Sequence, residues 1–332
     1  MRQSGMGNFF WLREESGAAG LSLSTGLVGL FNPPRKGKKM ALAPVIVTDS
    51  TCDLPPDLFA RYDVQRIPLR IQFGQESYRS GMDMDLEQFA QRLAKGDVHP
   101  STSQPTVPDF KQVYEALVKQ ERPILSIHVS EGLSGTINAA RQAAEQLPGQ
   151  PITIWDSQTI SAALGLQVLT AARAAQAEYT VEQILPLLAN TRTLNNLLFS
   201  LEDLSYLVKG GRIGRVQYRF AQTLNIKPII TVSKSGDHVG TYTSAGRARS
   251  LSKAVDTFVD LVNNDVKPGS KLRAMVFYGI GETPALAARL IEKLKQQYDC
   301  VFIESAHSTP VLGVHVGPLA IDMGYAAGDW EV

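Results

Sequence analysis

The chain has 332 residues, 44% of them hydrophobic, and its 33 Lys and Arg nearly balance its 32 Asp and Glu. That length and apolar fraction suffice for two domains, each with its own core, and the near-neutral charge excludes a global field that would make nucleic acid or an anionic membrane the main partner. Two distant cysteines, Cys52 and Cys300, match no paired metal or redox spacing and suit a reducing cytoplasm.

Residues 1 to 43 are rich in Gly and Ser, have no regular period, and read as a flexible N-terminal extension. A weakly apolar run at 18–31 follows Glu14 and Glu15, with no small-residue cleavage site before the basic stretch 35–39, so export is not expected and the chain reads as cytoplasmic. No run of about 18 apolar residues occurs, so no membrane-spanning segment is expected.

From residue 44 a rhythm of strand and helix begins. "PVIVTD" (44–49), "PILSIHV" (123–129) and "PITIWD" (151–156) are short apolar runs closed by turn formers, the pattern of buried parallel strands. Between and after them, helical periodicity covers 85–94, 109–120, 135–147 and the Ala-rich 161–178. Residues 44 to 195 therefore predict a parallel, Rossmann-like α/β domain. After residue 195 two β-rich runs flank a turn at 234–237, which predicts an antiparallel pair; helices follow near 251–264 and 284–297, with a strand at 274–280 between them. Residues 196 to 332 predict an α+β domain with antiparallel strands.

Ligands of open parallel sheets bind beyond the carboxyl ends of the strands, where three polar loops are expected. "TDSTCD" follows the first strand, and "STSQPT" (101–106), uncharged and ended by a proline, reads as a loop presenting donors. "SEGLSGT" (130–136) puts Ser134, Gly135 and Thr136 at a helix start, which is either a site for an anion or plain N-capping. "GLSGT" has Thr136 where a nucleophile elbow needs its second glycine, and the histidines nearby have no evident Asp partner. No dinucleotide fingerprint follows the first strand, and "KGGRIGR" (209–215) lacks the order of a P-loop. His315, alternating with apolar residues before a Gly-Pro turn, reads by composition as a core residue at a strand end. The remaining histidines have no metal-ligand spacing, so neither a metal nor any other cofactor is expected. Between Asp203 and Asp256 nine cations, Lys209 to Lys253, face one carboxylate, Asp237. This stretch predicts either a docking surface for an acidic partner or phosphate, or a solvated face. Its sparse aromatics, Tyr218, Phe220 and Tyr242, argue against nucleic acid.

The ordered series "VTDSTCDLPPDLF", "VQRIPLRIQFGQESYRSGMDM", "STSQPT", "SEGLSGTINAA", "WDSQTIS", "LSYLVKGGRIGR", "LNIKPIITV" and "HVGP" resembles the DegV family of fatty-acid-binding proteins over roughly residues 45–325. The resemblance implies a two-domain protein enclosing one long-chain fatty acid between its domains. It also implies a carrier role, in which the acyl carboxylate is presented to a separate ATP-binding fatty acid kinase protein for conversion to acyl phosphate. It further implies that Thr102 and Ser134 are the main carboxylate ligands, that Ser103, Ser130, Gly135 and Thr136 complete a polar cup, and that His315 lies beside the carboxylate. Arg249, with Arg247 as the fallback, would be the cation of phosphoryl transfer. Two departures from the family pattern are Ser80 before Gly81, where Asp is usual, and Leu319 in place of Gly. A reading of another class stays open, an enzyme acting on a small anionic ligand with Ser134 as nucleophile and His315 as base.

Overall fold

The computed structural model describes residues 42–96, 98–214 and 226–332. All but the last two residues of the expected N-terminal extension lie outside the described residues, as do Arg215, Tyr218, Arg219 and Phe220 of the basic stretch.

Strand β1 (Val45–Asp49) is buried at every position, and helix α1 (Pro56–Arg61) leads to β2 (Gln65–Ile67), which pairs with it in parallel. Strands β3 (Arg70–Phe73), β4 (Glu76–Arg79) and, after helix α2 (Leu86–Ala94), β5 (Ser101–Ser103) form a small antiparallel sheet in the order β4-β3-β5. The "STS" segment expected as a loop is thus an edge strand, with Thr102 opposite the buried Ile71. An edge strand lets a hydroxyl-rich segment pair on one side while Pro105 ends it.

Helix α3 (Val107–Val118) begins at a capping box, in which the Thr106 hydroxyl accepts from the Asp109 amide and the Asp109 carboxylate accepts from the Thr106 amide. Strand β6 (Ile124–His128), helix α4 (Thr136–Glu145) and strand β7 (Ile152–Asp156) complete a parallel sheet in the order β2-β1-β6-β7. Alternation sorts its side chains: Val45, Val47 and Ile124 join Phe110 and Tyr114 of α3 and Ala139 of α4, while Ile46, Leu125 and Ile127 face helix α5 (Ser161–Gln176).

Helix α6 (Val181–Leu194) leads into β8 (Asn196–Leu201), and the short helix α7 (Ser205–Lys209) follows. Strands β9 (Lys227–Val232) and β10 (Tyr242–Ala248) form the expected antiparallel pair, with Tyr242 opposite Val232. Helix α8 (Leu251–Asp265), strand β11 (Lys271–Tyr278), helix α9 (Thr283–Gln297), strand β12 (Asp299–His307), helix α10 (Pro310–Val316) and strand β13 (Ala320–Ala327) follow. The six-stranded sheet runs β10-β9-β8-β13-β11-β12 and is antiparallel except for the β11–β12 pair. His315 therefore stands on a helix rather than at a strand end. Seven residues that are nearly all apolar give no period by which to separate the two.

Helices α8 and α9 cover one face of this sheet, and α5 covers the other through Leu197, Phe199, Met275 and Phe277. Helix α5 thus faces both large sheets, and 13 of its 16 residues are buried, which explains why it is apolar on all sides. Its approach to β13 is backbone to backbone: a Cβ at Gly324 would lie 2.4 Å from the Ala162 carbonyl carbon and the Ala163 nitrogen. Substituting Gly324→Ala should therefore force α5 off the sheet and cost about 1 to 3 kcal/mol, read as a lower midpoint in urea or thermal unfolding.

Candidate functional site

Loops and ends from six different elements converge on one cavity with an empty volume of about 460 Å³. Its polar lining is Thr51 from the turn after β1, Thr102 on β5, Ser134 before α4, Arg212 after α7, Tyr242 at the start of β10, and His315 on α10. A second cavity of about 350 Å³ shares Ile160, Tyr242, Leu312 and Val316 with the first and continues between Leu197, Phe199 and Ala320 to Ser161 and Asp322. One end of this composite space is rich in hydroxyls, and most of the other is apolar. Its lining has the character of a site for an amphipathic molecule.

Hydrogen bonding decides which hydroxyls are free to donate. Thr102 Oγ1 lies 2.9 Å from His315 Nε2, and His315 Nδ1 is buried with no partner among the described residues. Segment 209–212 lies so close over the ring that a Cβ at Gly210 would be 2.2 Å from Nδ1. Burial, then the charge of Arg212 and His99, pushes the imidazole down to about 4, so it is neutral near physiological pH. In the tautomer with the proton on Nε2, the ring donates to Thr102 Oγ1 and leaves the threonine proton free for an acceptor in the cavity. The other tautomer spends that proton on the ring. Similarly, Ser134 Oγ is 2.8 Å from Thr136 Oγ1 and accepts from the Thr136 amide at 3.3 Å. If Thr136 donates, the Ser134 proton is free.

Thr102, Ser134 and His315 thus meet at the cavity, with Thr136 bonded behind Ser134. Ser103, Ser130 and Gly135 lie outside its lining. Ser130 is 1% exposed, accepts from the Gly132 amide, and is covered by Gly240, where a Cβ would come within 2.1 Å of its hydroxyl. Gly135 is where the two polar loops touch, since a Cβ there would lie 2.3 Å from Gln104 Oε1. Arg247 and Arg249 are exposed at the end of β10 and line neither cavity. Arg212, counted in the sequence only as one of a basic series, is the cation of this lining. Its convergence with Tyr242 and Thr51 depends on long-range packing that carries no local sequence signal.

The expectation that the nearby histidines lack an Asp partner is corrected for His128. Its Nδ1 is 3.0 Å from Asp49 Oδ2 across the β1–β6 pair, and its Nε2 is 2.7 Å from Ser126 Oγ, which accepts from the Tyr114 hydroxyl. All four side chains are buried. Burial pushes the Asp49 carboxyl up, but hydrogen bonds from His128, Thr51 and the Val129 amide outweigh it and hold the group below its usual range. Asp49 also accepts from both the amide and the hydroxyl of Thr51, fixing that cavity residue.

His315 generates a pH prediction. A histidine titrating near 4 in the folded protein and near 6.5 when unfolded binds more protons unfolded, so its contribution to stability is present above about pH 6.5 and is lost as pH falls toward 4. Nitrogen-15 NMR should show a neutral ring protonated on Nε2 down to about pH 5, and a ring titrating at an ordinary histidine value would contradict the burial described.

The family model described as "Uncharacterised protein, DegV family" matches residues 44–327. A DegV domain-containing protein of Deinococcus radiodurans is 35% identical over 285 residues, covering 86% of this chain and 96% of that protein. Among solved structures, a DegV family protein from Thermus thermophilus, described by its fatty acid binding, superposes with a TM-score of 0.80 at 30% identity, over 86% of this chain and all of that one. DegV of Bacillus subtilis, described as a fatty acid binding protein, superposes with a TM-score of 0.77 at 28% identity, over 87% of this chain and all of that one. With the family model spanning both sheets and the cavities between their loops, the chain belongs to the DegV family.

Proposed function

We propose that the protein binds one long-chain fatty acid, with its carboxylate at Thr102 and Ser134 and its chain in the adjoining apolar cavity. The observation that carries this reading is that the two cavities adjoin, sharing Ile160, Tyr242, Leu312 and Val316, with neutral donors in the lining of one and mostly apolar residues in that of the other. Each methylene removed from water contributes about 0.8 kcal/mol, and uncharged donors hold a carboxylate without the several kcal/mol cost of burying a permanent cation. The fatty acid binding described for the Thermus and Bacillus proteins supports the same reading.

The carrier role adds a partner, an ATP-binding kinase that would convert the presented carboxylate to acyl phosphate. The exposure of Arg247 and Arg249 is compatible with such a contact. The enzyme reading has less support: His315 Nε2 is bonded to Thr102 and the Ser134 hydroxyl to Thr136, so the proposed base and nucleophile are not hydrogen-bonded to each other.

Native mass spectrometry of protein purified from cells should detect a co-purifying mass of fatty acid size, and a protein that neither carries nor takes up fatty acid would refute the proposal. Replacing Thr102 and Ser134 together by Ala removes two bonds to a charged group, each worth about 1.5 to 3 kcal/mol. Palmitate affinity should fall by at least about a hundredfold with the thermal unfolding midpoint little changed. If a kinase partner uses Arg249, Arg249→Ala should slow acyl phosphate formation and leave palmitate affinity intact.

A further inference from the structure

The mostly apolar cavity has Ser161 and Asp322 in its lining. Ser161, the first residue of α5, has its Oγ 2.7 Å from Asp53 Oδ2 and 2.9 Å from Asp322 Oδ1. Asp53 comes from the turn after β1 and Asp322 from β13, so one hydroxyl joins carboxyl groups contributed by two different sheets. All three residues are at most 8% exposed, and Ser161 and Asp322 line the cavity. A serine hydroxyl has one proton and can donate to only one of the two carboxylates. The second short contact requires a proton on one of the acids. Thr309 repeats the shortage, since its single hydroxyl proton faces both Asp53 Oδ1 at 2.6 Å and the Ser50 carbonyl at 3.1 Å. The backbone at both Asp53 and Ser161 is held in the left-handed region, φ 54° and 52°, where such residues pay a conformational cost.

We propose that Asp53, Ser161 and Asp322 form a proton-binding site in the wall of the tail cavity, and that an acyl chain and a proton are taken up together. The second half rests on the fatty acid reading above. A chain filling the cavity excludes water from Asp322, and a carboxylate that loses its solvation is driven toward its protonated form. Burial already raises both acids, Asp53 to about 7 with added repulsion from Asp49, and Asp322 well above the ordinary range with added repulsion from Asp53. Among the described residues, the other titratable groups facing the pair do not titrate near neutrality. Asp49 is held low, while burial raises Cys52 and Tyr242 far above neutral; His315, in the adjoining lining, is pushed down to about 4. If the chain-bound state holds its proton to higher pH than the free state, affinity is flat below the free-state titration and falls as pH rises through it, by up to about tenfold per pH unit.

The test is palmitate binding, below its micellar concentration, by isothermal titration from about pH 6 to about pH 9 in buffers of different ionisation enthalpy. The expected result is uptake approaching one proton per palmitate above neutral pH and an affinity that declines there, with both effects lost in Asp322→Asn, which keeps the side-chain shape. A wild-type affinity that is flat with pH, with no buffer dependence, overturns the coupling without the variant being needed. An infrared arm uses the ligand-free protein. A protonated-carboxyl stretch present near pH 6, lost at higher pH and missing when Asp53→Asn and Asp322→Asn are combined supports the proton site, and its absence at all pH values overturns it. Failure of palmitate to bind at any pH overturns the proposed function instead, and the infrared arm still decides the proton site.

Discussion

The contact on which the rest of the structure depends is the one between the backbone of α5 and β13 at Gly324. A helix normally stands off a sheet by the depth of its side chains. Here Ala162, Ala163 and Gly324 remove that depth on one side, and Gly165, where a Cβ would lie 2.9 Å from the Cys52 carbonyl, removes it on the other. The parallel and the mixed sheet can therefore both pack on one helix. The first turn of that helix then sits beside the turn after β1 and beside β13, so the polar ends of all three elements share one region. The cavity next to it is lined by apolar residues of β8, β10 and α10.

Placement of charge around the cavities follows from what burial costs. Deep inside, hydroxyls and a neutral imidazole supply the donors, and the orientation of each proton is set one bond further back, by His315 for Thr102 and by Thr136 for Ser134. Arg212 is exposed while lining the same cavity, so its charge can reach the head region without a large desolvation cost. Asp322 lines the second cavity and not the one that holds Thr102 and Ser134.

The sequence made some of this legible and hid the rest for physical reasons. Strands β1 and β6 are readable because a strand buried on both faces is mostly apolar, β7 because its half-buried residues keep that pattern at the sheet edge, and α5 because it is long and rich in Ala and Leu. Thr102, Ser134 and His315 were carried by the family resemblance, and they meet at one cavity. The strand at Ser101–Ser103 was hidden because three polar residues at a sheet edge carry no alternation. His315 was read as a strand residue because the short apolar α10 has no polar face to set its period. Arg212 could not be separated from its basic neighbours, and the partners of Ser161 lie 108 and 161 residues away in the chain, beyond any local pattern.

The buried Ser126–His128–Asp49 chain has a consequence for how enzymes are recognised from shape. Its contacts of 2.7 and 3.0 Å follow the hydroxyl, imidazole, carboxylate order of a hydrolytic triad, so a template built on those distances alone would flag this fold as a hydrolase. Yet each of the three side chains is sealed from solvent, and the hydroxyl that would attack instead receives a bond from Tyr114. A catalytic nucleophile must meet a substrate, and Ser126 meets only the interior. Access to solvent, rather than interatomic distance, separates a reactive triad from a polar brace between two strands, and any geometric search for function needs that criterion.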